Sequence, residues 1–205
     1  KLKVEFRLWD LTASKEIVAL AFTTTPANWR RVSHIISDQI YEIIMGMNAG
    51  RIEGKSTSTK GHFDTRIIYV AETGPNERKQ KRLAIMDQDQ ANHRFLTDGR
   101  YLVLSPSFSP NSQKIVYVSY VNKNNPRVYI FDIETGQQEI VGEFPGMTFD
   151  PRFSPDGNEI IMSYADPHIG NSEIYILDLQ TRVSRKITNS SGIDISPSFS
   201  PDGKN

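Results

Sequence analysis

Few residues in this chain have the type and spacing that chemistry requires. Ala49-Gly50-Arg51-Ile52-Glu53-Gly54-Lys55-Ser56 carries the glycine, lysine and serine of a phosphate-binding loop, with alanine at the first glycine. Such a loop works between a strand and a helix, where backbone amides and a helix N-terminus face the phosphates. Here it follows a helical pattern and precedes a polar tract, so nucleotide binding is not expected. Asp87-Gln88-Asp89-Gln90-Ala91 opens like a calcium loop, but Asn92 stands where the sharp turn needs glycine and no closing glutamate follows. Turn chemistry accounts for those aspartates, and a cation held by carboxylates facing a channel would be incidental. His34, His62, His93 and His168 lack metal-ligand spacing. There is no cysteine and no Gly-x-Ser-x-Gly elbow. Neither cofactor, metal site nor catalytic residue is expected, and the chain is read as a non-enzyme.

Composition narrows the field further. The 24 basic and 24 acidic residues cancel, which argues against a counterion-driven grip on nucleic acid or an anionic membrane. No apolar run reaches the length of a membrane span. The chain opens inside a strand-like pattern and stops after a turn signal, so it is expected to be a fragment.

The elements that position side chains repeat. Pro106-Ser107-Phe108-Ser109-Pro110, Pro151-Arg152-Phe153-Ser154-Pro155-Asp156-Gly157 and Pro197-Ser198-Phe199-Ser200-Pro201-Asp202-Gly203 place their phenylalanines 45 and 46 residues apart. In step with them, Leu83–Asp87, Val128–Asp132 and Ile174–Asp178 end on aspartates with the same two spacings. A period of this size with room for four short strands is the signature of a β-propeller. In the third unit the strands are expected at Asp150–Ser154 (A), Glu159–Tyr164 (B), Glu173–Asp178 (C) and Val183–Thr188 (D), with Asp156-Gly157 as the tight A–B turn. Blades are expected near 65–97, 101–142 and 147–189, with a fourth begun at 193–205. The first blade is built from Thr65–Glu72, Lys81–Asp87 and Arg94–Thr97 and has no strand A upstream; the far C-terminus of a propeller can supply it.

Up-and-down strands put the D–A and B–C loops on one face. These are the long ones, Gly142–Thr148, Asn189–Asp194, Asn122–Arg127 and Ala165–Ser172, and long loops on a rigid scaffold are where recognition sits. The candidate partner-binding residues are therefore Arg127, Phe144, Met147, His168 and Ile193.

Residues 1–64 differ. Leu2–Trp9 alternates as a half-buried strand and Glu16–Thr23 is its hairpin partner. Thr25 and Pro26 should start a helix whose stripe is Trp29, Val32, Ile36, Ile40 and Ile43, with Gly46 as its stop. This β-β-α piece reads as the end of an α/β domain. Arg30-Arg31 reads as a solvated helix face, and His34 as surface or interdomain. Met47–Gly61 is a polar linker. The fold class is thus mainly β: an incomplete propeller of four-stranded blades, preceded by the C-terminal part of an α/β domain.

Phe6-Arg7-Leu8-Trp9-Asp10, Asn28-Trp29-Arg30-Arg31-Val32-Ser33-His34, Phe63-Asp64-Thr65-Arg66-Ile67-Ile68-Tyr69-Val70 and Leu83-Ala84-Ile85-Met86-Asp87-Gln88-Asp89 resemble the TolB family over nearly the whole chain. The resemblance implies an N-terminal α/β domain, a six-bladed propeller and a periplasmic place in the Tol-Pal system, which supports outer-membrane integrity and constriction at cell division. It implies docking of the lipoprotein Pal on the propeller, use of the propeller channel by some colicins, and binding of TolA through an extreme N-terminal segment that this chain does not match. Residues 47–59 look like an insertion relative to the family. The competing expectation is the propeller of a prolyl-oligopeptidase-like hydrolase, which would need a hydrolase domain with a nucleophile elbow.

Overall fold

The computed structural model describes residues 1–45, 62–122, 125–142 and 144–204. The phosphate-loop-like segment 49–56, the linker 47–61 and the Gly46 stop lie outside the described residues. The chain divides into two compact units, residues 1–67 with 87–91, and residues 68–86 with 92–205.

In the first unit, β1 (Leu2–Asp10) and β2 (Lys15–Thr24) form an antiparallel hairpin. Asp10 closes it by accepting the amides of Thr12 and Ala13 at 2.8 and 3.0 Å. The helix α1 runs Trp29–Ile44, later than Thr25 and Pro26 suggest. Those residues open a separate 3-10 turn, closed by the Asn28 amide on the Thr25 carbonyl at 3.0 Å, and Asn28 stands at the N-cap position of the helix without a side-chain capping bond. Trp29 is 55% exposed, so it leaves the expected apolar stripe; the Arg30 guanidinium lies 5.3 Å from its ring centre.

The solvated reading of Arg30-Arg31 holds for Arg31, which is exposed, but not for Arg30, which is half-buried. Asp38 is buried and accepts the amides of Phe63 and Asp64 at 2.7 and 3.0 Å. Arg31 pairs with Asp64 at 3.4 Å. Arg30 pairs with Asp89, and His34 Nε2 lies 3.4 Å from the same carboxylate. The calcium-like run is therefore a turn: the Asp87 amide donates to the Ala91 carbonyl at 2.9 Å, and Asp89 accepts the Ala91 amide at 3.1 Å.

The second unit is a series of antiparallel sheets in chain order, a partial β-propeller. The first holds β3 (Arg66–Thr73), β4 (Gln80–Asp87) and β5 (Arg94–Phe95). The second holds β6 (Val103–Phe108), β7 (Lys114–Asn122), β8 (Asn125–Asp132) and β9 (Gln138–Ile140). The third holds β10 (Met147–Phe153), β11 (Glu159–Ala165), β12 (Ser172–Asp178) and β13 (Ser184–Lys186). Residues 193–204, where a fourth sheet is expected to begin, join no strand ladder among the described residues.

Apolar side chains on both faces of the inner strands fix the stacking. On β7, Ile115 and Tyr117 join Leu83, Ile85, Tyr129 and Phe131 in one core, while Val116 joins Ile160, Met162, Tyr164 and Leu177 in the next. Alternate residues of β11 do the same, with Ile161 in a third core beside Ile174, Ile176 and Phe199. Phe108, Phe153 and Phe199 hold matching places, one against each core.

The Ser-Pro-Asp-Gly turns explain their own composition. The Ser154 hydroxyl donates to Asp156 at 2.6 Å, the Asn158 amide to Asp156 at 3.0 Å, and the Glu159 amide to the Ser154 oxygen at 2.9 Å. The Ser154 hydroxyl, then the Asn158 amide, hold the Asp156 carboxyl below its ordinary range. At the C–D turns, Asp132 and Asp178 are lowered chiefly by the amides of Thr135 and Thr181. Consecutive A–B turns are tied as well: Asn111 donates to the Asp156 carbonyl at 2.5 Å. Gly157 has φ +73°, and a Cβ there would collide with the Asn111 side chain. Gly157→Ala should destabilise the protein by about 1–3 kcal/mol through left-handed strain and loss of that tie. Urea unfolding checks this; an unchanged midpoint would contradict it.

Candidate functional site

The D–A and B–C ends of the third sheet converge on one cavity of about 510 Å³. Its walls are Met147 and Phe149 of β10, Ala165 to Pro167 and Gly170 to Ser172 of the B–C connection, and Ile193. Met147 is 47% and Ile193 72% exposed, so the apolar character of this cavity opens to its mouth.

Met147 is a strand residue, although the sequence places it in a loop. β10 begins before Asp150 because a bulge interrupts its pattern: Phe149 faces Ser163 and Arg152 faces Ile161, leaving one extra residue on β10. Asp150 occupies that bulge with φ +50°. Ser105 repeats the arrangement with φ +51°, between Leu104 facing Val118 and Ser107 facing Val116.

The other candidates fall in different places. Arg127 lies in β8 opposite Ser119, and the strand bounds leave only residues 123 and 124 between β7 and β8, so the expected long B–C loop is not found there. Its Nη1 is buried and has no hydrogen-bond partner among the described residues. Arg127 acts electrostatically on the Tyr164 phenol, which burial nonetheless pushes up. Phe144 is 8% exposed, and its ring centre lies 5.4 Å from that of Tyr164, so it packs inward beneath the loops. His168 is exposed on the B–C turn, its amide donating to Asp166 at 2.8 Å. Ile193 lines the cavity mouth together with Met147. Gly146, beside them, has no room for a side chain, because a Cβ would overlap the Ala165 carbonyl and crowd Pro167 and Tyr164.

Glu173 was absent from the candidates, yet it orders this region. Although buried, its carboxylate accepts Thr188 Oγ1 at 2.6 Å and the Ser190 amide at 3.2 Å, and pairs with Lys186 Nζ at 3.2 Å. The Asn171 amide group reaches it at 3.4 Å and also donates to the Ser190 carbonyl at 2.9 Å. The 189–194 connection is thereby fastened to the start of β12, where Ser172 and Asp194 exchange bonds of 2.9 and 3.0 Å. The Glu-x₁₂-Lys separation gives no sequence signal; only the sheet register brings these groups together.

The Thr188 hydroxyl is the main cause that holds the Glu173 carboxyl below the usual glutamate range, aided by Lys186 and the Ser190 amide and opposed by burial. A lowered folded pKa makes this fastening fully present above the ordinary glutamate pKa, and it is lost as pH falls through the folded value. The protection of the Ser190, Gly192 and Asp194 amides, taken as exchange relative to the intrinsic rate at each pH, should therefore fall on acidification through that window. Glu173→Ala should show the low protection already at neutral pH, and equal protection in wild type and variant would contradict the role.

The arrangement offers shape and apolar surface. Among the described residues, no three acidic or histidine side chains gather as metal ligands, and no helix is long and apolar enough to cross a membrane.

Comparison with known proteins adds the lineage. The family model described as the TolB beta propeller domain matches residues 54–205. The Tol-Pal system protein TolB of Pelagibacter ubique (strain HTCC1062) is 59% identical over 149 residues, which cover 73% of this chain and 30% of that protein. The crystal structure of TolB from Acinetobacter baumannii aligns with a TM-score of 0.76 and 33% identity, covering 98% of this chain and 47% of that one. The putative TolB from Agrobacterium tumefaciens has a TM-score of 0.56 at 21% identity, over 66% of this chain and 47% of that one, and so shares the fold. This chain thus spans less than half the length of each of these relatives.

Proposed function

The chain belongs to the TolB β-propeller family, and from that premise we propose that it is a non-catalytic docking scaffold of the Tol-Pal system. In this reading it acts in the periplasm, where it binds the lipoprotein Pal and so supports outer-membrane integrity and invagination at cell division. The name of the Pelagibacter ubique relative, a Tol-Pal system protein, supports the system. The observation that carries the docking mode is the open apolar cavity where the D–A and B–C connections meet, with Met147 and Ile193 at its mouth.

Physically, the mechanism is association. The sheets are stiff because each inner strand is buried on both faces, so the loops are displayed with little conformational freedom left to lose on binding. An apolar side chain of Pal seated between Met147 and Ile193 would supply the central anchor, with polar contacts around it excluding water. Colicins are proposed for the propeller channel. The domain of residues 1–64 and the TolA-binding segment of the family are assigned no part in this contact.

Surface plasmon resonance of the Pal periplasmic domain over the full natural protein carrying this chain tests the proposal. Met147→Ala and Ile193→Ala should each weaken binding about tenfold, on the order of 1.4 kcal/mol. Gln180→Ala, in the C–D turn on the opposite end of the sheet, should leave it unchanged. Absence of Pal binding at micromolar concentration, or an equal loss from Gln180→Ala, would contradict it.

A further inference from the structure

Two walls of the cavity belong to neighbouring repeats. Met147 and Phe149 stand on β10, which pairs only with β11 among the described strands, whereas Ile193 stands on the segment after the third sheet. No ladder spans the gap between them. A single carboxylate does: Asp150 Oδ2 accepts the Ser196 hydroxyl at 2.9 Å, and Asp150 Oδ1 accepts the Ser105 hydroxyl at 2.9 Å.

The three residues are equivalent members of the repeat. Ser105, Asp150 and Ser196 have φ of +51°, +50° and +56°, and each precedes a proline, Pro106, Pro151 or Pro197. Positive φ is uncommon for residues other than glycine, and a following proline restricts the backbone further. Such conformations persist where the surroundings over-determine them, and they cluster at ligand clamps. Here the left-handed backbone turns each short polar side chain so that the one acceptor in the middle serves a hydroxyl on either side. Ser196 lies three residues beyond Ile193, and Asp150 three beyond Met147. On its far side the 193–196 segment is held separately, by the Ser172–Asp194 bonds.

We propose that Asp150 is a positioning residue whose carboxylate, shared between Ser105 and Ser196, sets the distance between β10 and the 193–196 segment and hence the width of the cavity between Met147 and Ile193. The consequence for binding rests on the Pal-docking reading; the effect on cavity width does not. The two hydroxyls then have unequal roles. Ser196 is on the segment that carries the wall residue Ile193, whereas Ser105 is on β6, which contributes no residue to the cavity wall. A tie serving stability alone would treat them alike.

The test uses the full natural protein carrying this chain, with ¹³C-labelled methionine and isoleucine methyl groups. Ser196→Ala should shift the Met147 and Ile193 methyl resonances and introduce microsecond-to-millisecond exchange in relaxation dispersion, while Ser105→Ala should leave both at wild-type positions. Asp150→Ala should match Ser196→Ala. Asp150→Asn should restore the wild-type pattern, because its oxygen accepts from one serine and its amide donates to the other, and asparagine tolerates positive φ. Pal affinity should fall about tenfold in Ser196→Ala and Asp150→Ala only. Equal methyl perturbation by Ser105→Ala and Ser196→Ala, perturbation by neither, or Asp150→Asn behaving like Asp150→Ala would overturn the proposal. A wild-type protein that binds no Pal but keeps the predicted methyl pattern would sink the docking reading and leave the positioning role standing.

Discussion

A sheet of four short strands cannot bury both of its faces by itself, and that constraint governs the second unit of this protein. Each inner strand carries apolar side chains on alternate sides, so every sheet needs a neighbour on each flank. Ile115 and Tyr117 look one way along β7 and Val116 the other, and all are buried. Fully burying one such side chain is worth about 1.5–3 kcal/mol, so a core of several of them outweighs any single polar tie. Once the sheets stack face to face, their ends have no freedom left. The D–A and B–C connections must emerge together, and the cavity beneath Met147 and Ile193 follows from the stacking.

The polar groups then act as spacers on that apolar frame. Turn aspartates accept backbone amides within their own turns, as Asp132 does from Glu134 and Thr135 at 2.9 Å. Others reach across repeats: Asn111 onto the Asp156 carbonyl at one end of the sheets, Asp150 onto two serines at the strand nearest the bulge. Hydrogen bonds of this kind contribute modestly in net energy but are directional. Packing brings the sheets together, and these bonds fix their spacing.

Much of this was legible in the sequence because the information is periodic. Phenylalanines and aspartates recurring in step at 45 and 46 residues mark equivalent places on equivalent sheets, and they do occupy matching cores and turns. What escaped is non-periodic or long-range. Asp150-Pro151 reads as a strand start, so the part of β10 before the bulge, with Met147 on it, is taken for loop. Arg127 is assigned to the end of the long connection Asn122–Arg127, although it sits in a ladder opposite Ser119. Asp89 meets Arg30 and His34 across more than fifty residues of chain, a pairing that no local pattern announces. Phe144 looks like a display residue in a Gly-Glu-Phe-Pro-Gly connection, yet its ring is drawn into the core beside Tyr164.

The central claim is that recognition belongs to the end of the sheets where the D–A and B–C connections meet. Hydrogen–deuterium exchange of the full natural protein, free and saturated with Pal, tests it most directly. The account requires new protection in residues 146–149, 165–172 and 189–194, with residues 155–158 and 179–182 at the opposite end unchanged. Protection confined to that opposite end, or spread evenly over both, would contradict it.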